Sequence, residues 1–142
     1  MNKGPLENYS SSLFNVEDIH RIAILDLRIL NLDRNLCNIL VTTKNPSCQI
    51  DNCTESSSTE NKQSCWMLVP IDHGLSIPDT LEINQYELAW LSFEQATLPF
   101  SKQSLEYIDS INVDFDIKLL EENLYFRPEC LRNLRISSML LK

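Results

Sequence analysis

Glycine is nearly absent: the 142-residue chain has two, and neither lies in a Gly-rich stretch, so no phosphate-cradling glycine loop is present. Positive charge is also short. Twelve Lys and Arg face twenty Asp and Glu, giving a net charge of −8 and a pI near 4.7. That balance excludes nonspecific nucleic-acid binding and a broad basic membrane-binding face. The two His are neutral or nearly so at pH 7 and do not change this. No apolar run approaches the roughly 20 residues needed to cross a bilayer. The start, MNKGPLENYSSS, has no apolar core of the kind a secretory signal carries.

The five cysteines are Cys37, Cys48, Cys53, Cys65 and Cys130. Their number is odd, and the spacing of Cys48, Cys53 and Cys65 fits no zinc pattern, so a reduced, cytoplasmic chain is expected. The sequons at Asn8 and Asn52 are then chance matches. With 43% hydrophobic residues, the chain can still build the core of one domain, or of part of one.

Residues 1–13 are polar and read as a disordered N-terminus. From Val16 the apolar residues Val16, Ile19, Ile22, Ala23, Leu27 and Leu30 recur at helical spacing, with Asn15 as N-cap and Asp18 at the capping-box position. The spacing predicts a helix to about Asn31, a loop over 32–38 and a strand over 39–43. The stretch 44–65, KNPSCQIDNCTESSSTENKQSC, is almost wholly polar and reads as a disordered insertion. It separates 39–43 from a second apolar run, 66–71, and the two are expected to pair antiparallel with the insertion at the hairpin tip. Beyond lie a short helix at Tyr86–Leu91 and a helix capped by Ser101, with Leu105 and Ile108 inward. A third starts at Asp114, with Ile117, Leu119 and Leu120 inward. A last helix opens at Pro128, with Cys130, Leu131, Leu134, Met139 and Leu140 as its apolar positions. The fold class expected is α+β, mainly helical, with a small antiparallel β-hairpin.

Two segments carry chemistry. Asp33-Arg34-Asn35-Leu36-Cys37-Asn38 precedes the first strand; Asp72-His73-Gly74 follows the second. The hairpin sets Asn38 and Asp72 side by side at its open end. Phosphoryl transfer asks for a carboxylate to orient or deprotonate the attacking hydroxyl and for oxygen ligands that hold Mg²⁺ (or Mn²⁺) against the ATP phosphates. Asp33 is the expected base; Asn38 and Asp72 are the expected metal ligands. Arg34 joins the catalytic set, either steadying the loop through an ion pair or facing the nucleotide. Gly74 permits the turn after Asp72, and His73 packs under it. His20 and Trp90 read as packing residues, and Asp26 and Arg28 as a structural ion pair or loop brace. Taken singly, an Asp-x4-Asn or an Asp-x-Gly is an ordinary turn; the conjunction is what points to chemistry.

The run from Phe14 to Arg28, then Asn31, Asp33, Arg34 and Asn38 to Val41, resembles the catalytic-loop region of the phosphatidylinositol 3-/4-kinase superfamily. It is most similar to the gamma-type phosphatidylinositol 4-kinases, which read Asp-His-Gly where most kinases read Asp-Phe-Gly. The resemblance continues through Trp90-Leu91, Gln95-Ala96, Pro99-Phe100-Ser101 and Leu105 to Ile108, and ends in Leu134 to Ser137 and Met139 to Lys142. It implies a partial catalytic domain over 14–142, interrupted by 44–65, shaped like the C-terminal lobe of a protein kinase. It also implies a cytoplasmic enzyme, peripheral at membranes, that moves the ATP γ-phosphate to phosphatidylinositol. Two departures stand out. Asn35 occupies the place of a His that in the family is held to stabilise the transferring phosphate. And the nucleotide-binding Lys, its partner Glu and the Gly-rich loop of the upper lobe have no counterpart, so the chain alone is expected to be inactive. The alternative is a non-catalytic remnant, a pseudokinase module that only binds. A protein kinase would read His-Arg-Asp where this chain has Asn31-Leu32-Asp33.

Overall fold

The computed structural model describes residues 2–43, 66–81 and 87–142. The expected insertion 44–65 lies outside the described residues. The chain is mostly helical with a small antiparallel sheet. Strand β1 (Asn2–Pro5) leads through two 3₁₀ turns to helix α1 (Val16–Ile29). A two-residue strand β2 (Asp33–Arg34), a 3₁₀ turn (Leu36–Asn38) and strand β3 (Ile39–Thr43) follow. Then come β4 (Trp66–Pro70), β5 (Glu87–Leu88), two 3₁₀ turns and three helices: α2 (Lys102–Ser110), α3 (Val113–Leu124) and α4 (Pro128–Leu141).

Local signals account for the helix starts. Asn15 Oδ1 accepts the Asp18 N–H at 2.7 Å, Ser101 caps α2 through the Ser104 N–H, and Asn112 caps α3 through the Phe115 N–H. Pro128, with no N–H to lose, stands in the first turn of α4. Helix α1 ends on Leu30 in the left-handed region, φ 47°.

Strands β3 and β4 pair antiparallel as expected, from Ile39↔Pro70 to Thr43↔Trp66. The outer strand was not expected. Residues 2–13, read as disordered, are ordered: β1 lies antiparallel on the free edge of β3 and completes a sheet of order β1-β3-β4. Gly4, at φ 120°, supplies a backbone that other residues avoid where the register shifts between Asn2 and Gly4. Leu6, just beyond, is in the core with Phe14, Ile19, Ile22, Ile39, Val41, Trp66, Leu68, Trp90 and Phe93. That core fills the space between the sheet and α1. Tyr86–Leu91 is not a helix over its described part: Glu87–Leu88 form β5, parallel to β2, and Ala89–Ser92 a 3₁₀ turn.

The later helices depart from their expected faces. Ile108, Cys130, Leu131 and Leu134 are buried, but Leu105, Leu119, Met139 and Leu140 are exposed, and α3 buries no residue fully. Helix α4 packs on α1 and α3. Helix α3 is also tied to α1 by the Arg28–Asp116 pair at 2.9 Å. Burial works against the Arg28 charge, but the Asp116 and Tyr107 contacts outweigh it and raise its pKa above the usual value.

Candidate functional site

Asp26, on the last full turn of α1, begins the site. Its side chain is buried, and Asn31 Nδ2, Arg34 Nε and Nη2, and Trp90 Nε1 all donate to it, at 2.9 to 3.2 Å. Arg34 is fully buried opposite it. Besides Asp26, its Nη1 donates to the carbonyls of Asn38 (2.9 Å) and Ile71 (2.5 Å), and its Nη2 to His73 Nδ1 (3.0 Å). A guanidinium has five N–H groups, and this network commits them all. Arg34 therefore braces the loop. The other expectation, that it faces a nucleotide, fails because no N–H is left and no surface is exposed.

That brace joins two loops by their backbones. Asn38 O sits where the 33–38 loop enters β3; Ile71 O sits where β4 leaves the sheet. The Ile71 N–H also donates to Asn38 O at 2.9 Å. Asn38 and Asp72 thus come together at the open end of the hairpin, and with Asp33 they line one cleft of about 600 Å³. Glu7, Asn35, Leu36, Cys37 and Glu87 line it too.

Within the cleft Asp33 is held by three asparagines. Its N–H donates to Asn31 Oδ1; Asn35 Nδ2 donates to its Oδ1 at 2.9 Å; Asn38 Nδ2 donates to its backbone oxygen at 3.0 Å and its Oδ2 at 3.3 Å. Asn35 Oδ1 meanwhile accepts the Cys37 and Asn38 N–H groups, capping the 3₁₀ turn. Asn38 turns its nitrogen to Asp33, which leaves its oxygen as the atom able to meet a cation. Asp72 takes the left-handed backbone itself, φ 52°, and its Oδ1 accepts the Gly74 N–H at 3.2 Å. Gly74 does not supply the positive φ. It permits a close approach, since a Cβ there would meet Asp72 Oδ1 at 3.3 Å. His73 does not pack under Asp72; it is exposed and accepts from Arg34, so its proton lies on Nε2. His20 is buried as expected, its Nε2–H donating to Gln95 O at 2.9 Å.

The donor set consists of hard oxygens, two carboxylates and an amide, which suits Mg²⁺ or Mn²⁺ better than a soft metal. Among the described residues no group of three His, Cys, Asp or Glu could hold a metal ion. An ion here would rest on few protein oxygens, Asn38 among them, as Mg²⁺ tolerates. Sequence reasoning missed Glu7, Glu87 and Cys37. Glu7 belongs to the segment read as disordered, and Glu87 arrives by the parallel bridge Asp33↔Glu87, for which no local signal exists. The Cys37 thiol donates to Glu7 Oε2 at 3.2 Å, and this bond above all pushes its pKa up.

A family model described as phosphatidylinositol 3- and 4-kinase matches residues 1–142. Over 142 residues the chain is 38% identical to phosphatidylinositol 4-kinase gamma 2 and to phosphatidylinositol 4-kinase gamma 3 of Arabidopsis thaliana. It is also 38% identical to phosphatidylinositol 4-kinase gamma 4 of Oryza sativa subsp. japonica. Each alignment takes in 99% of this chain and 22% of the relative, so the chain spans less than a quarter of the length of these curated relatives.

Proposed function

The chain belongs to the phosphatidylinositol 3- and 4-kinase family, and we propose that its 33–38 loop and Asp72-His73-Gly74 segment form the catalytic and metal-holding half of a phosphatidylinositol 4-kinase site. The body that carries them is then the counterpart of a protein kinase's C-terminal lobe. One observation supports this reading most: Asp33, Asn38 and Asp72 line a single cleft, because the ends of β3 and β4 are joined through Asn38 O.

In this reading Asp33 faces the attacking inositol hydroxyl. As the inositol oxygen bonds to the γ-phosphorus and the bond to ADP breaks, the hydroxyl proton passes to the Asp33 carboxylate. Asn35 and Asn38 hold that carboxylate in one orientation and Asn31 holds the Asp33 backbone, so little reorganisation is needed at the moment of transfer. Asn38 and Asp72 would hold Mg²⁺ or Mn²⁺, which when bound with ATP neutralises charge on the phosphate oxygens. Arg34 acts only through its grip on the two backbones. The lipid substrate would be met at a membrane surface; no helix among the described residues is long and apolar enough to cross one.

The test pairs a binding and a transfer measurement. Mn²⁺ is titrated into the chain by water-proton relaxation, and the protein carrying the chain is assayed with ATP and phosphatidylinositol vesicles. Asp72→Ala is expected to weaken Mn²⁺ binding about tenfold or more and to abolish transfer. Asp33→Asn is expected to abolish transfer while keeping Mn²⁺. Wild-type transfer by Asp72→Ala would overturn the metal assignment. Asn35 favours a second reading, a module that binds nucleotide without transferring phosphate, because both ends of its amide are engaged within the loop. Bound Mn-ATP with no phosphorylated lipid in the wild type would select it.

A further inference from the structure

Three energetically unfavourable features meet where the segment after Asp72 lies against the rest of the fold. Ile77 has φ 50°. A β-branched side chain disfavours that conformation, and so does the following Pro78, which drives its predecessor toward extended backbone. Ser76 Oγ is buried with no hydrogen-bond partner. Asn133, on α4 and only 1% exposed, is half satisfied: Nδ2 donates to Pro78 O at 2.9 Å, while Oδ1 has no partner. Strain of this kind persists only where surrounding contacts over-determine the backbone. Those contacts are present. The Ile77 N–H donates to Ile29 O at 2.8 Å, Leu75 O accepts the Leu32 N–H, and Asn133 holds the next carbonyl. Arg127, at the start of α4, pairs with Asp79 at 2.6 Å.

The near end of this segment is fixed by Arg34 and Asn38 through Ile71. The far end is fixed by α4. Asp72, itself left-handed, hangs between the two. We propose that Asn133 is a positioning residue for Asp72: by clamping Pro78 O it keeps Ile77 in its strained state and so sets the path of the segment that presents the Asp72 carboxylate to the cleft. The proposal rests on Asp72 acting as a metal ligand. It also explains why α4 buries a half-satisfied amide where an apolar residue of the same size would pack without penalty.

Asn133→Leu, which keeps the branching and the number of heavy atoms, tests this. A purely structural Asn133 predicts that the swap is nearly neutral in every respect, since it also removes an unsatisfied oxygen. The positioning role predicts an unchanged or raised thermal midpoint, together with exchange at the Ile77 amide about tenfold faster and Mn²⁺ binding several-fold weaker. Ser137→Ala, on the same helix, loses a bond to Leu27 O instead and is expected to leave both readings at the wild-type value. If Asn133→Leu gives no folded chain, Asn133→Ala is read in the same way. Wild-type Mn²⁺ affinity in the variant overturns the inference, and so do equal effects from Ser137→Ala. If the wild-type chain binds no Mn²⁺, the functional reading fails, and Ile77 exchange alone decides whether Asn133 is the clamp.

Discussion

Replacing Arg34 by methionine is expected to be the most damaging single change in the described part of the chain. Both members of the Arg34–Asp26 pair have side chains with no solvent exposure. Removing one member of such a pair strands the other charge, a loss of about 3–5 kcal/mol. The carbonyls of Asn38 and Ile71 lose their donor as well, each a desolvation penalty of about 1–3 kcal/mol when the oxygen stays dry. These terms share one side chain and do not add fully, so about 4 kcal/mol is expected in total. A domain of this size has only about 5–15 kcal/mol to lose. Urea unfolding followed by tryptophan fluorescence measures it: Trp66 and Trp90 are both buried. The midpoint should fall with little change in slope. Arg34→Lys sharpens the reasoning. It keeps the charge but offers three donors from one atom where five from a planar fork are in use, so a loss of about 2 kcal/mol is expected. A loss under about 1 kcal/mol in Arg34→Met, or wild-type stability in Arg34→Lys, would refute the claim that the five-donor geometry holds the two loops.

Two further predictions follow from single contacts. Trp90→Phe keeps an aromatic ring in the core but removes the Nε1–H that Asp26 Oδ2 accepts at 3.0 Å; the same urea titration should show a loss of about 1–3 kcal/mol, and an unchanged midpoint would remove Trp90 from the network. Cys37 should alkylate slowly at pH 8, because its bond to Glu7 favours the protonated thiol, and the neighbouring carboxylates Glu7 and Glu87 disfavour the thiolate further. With the pKa raised, the thiolate fraction at a fixed pH falls, so the rate profile shifts to higher pH. Glu7→Ala should bring it back down, as read by peptide-level mass spectrometry, and a profile indifferent to Glu7 would disprove the contact.

What the sequence made legible was local. Asn15 and the spacing from Val16 to Leu27 define α1, Ser101 and Pro128 mark the starts of two more helices, and two short apolar runs become a hairpin. Each depends on signals within a few residues. The hairpin also carried Asn38 and Asp72 together, since pairing of β3 with β4 leaves their ends little choice. Strand β1 was hidden because NKGP is a poor strand by composition; its pairing comes from the exposed edge of β3, a tertiary opportunity. The α3 and α4 periodicities told of apolar stripes but not of what covers them, and Leu119, Met139 and Leu140 remain exposed. Arg34 was the least legible. Its residue type suits both a loop brace and a nucleotide contact, and only the position of Asp26 on the preceding helix decides between them.

The choice of a buried ion pair at this spot has a physical reason. Against well-packed apolar residues of the same volume, a buried pair contributes little net stability and can be the worse option. An apolar pair, however, fills space without fixing direction. The Arg34 fork holds Asp26, Asn38 O, Ile71 O and His73 Nδ1 at hydrogen-bond distance, which fixes the 33–38 loop, the end of β4 and the Asp72 segment relative to one another. It does so through backbone oxygens and an imidazole, leaving the carboxylates of Asp33 and Asp72 on the cleft wall. A double replacement of Asp26 and Arg34 by Leu and Met should therefore recover part of the stability lost in Arg34→Met, since no charge is stranded. It should recover none of the Mn²⁺ affinity lost in Arg34→Met, because the Ile71 N–H bond to Asn38 O would be left to join the two loops without the Arg34 brace. Recovery of both would show that the pair serves packing alone.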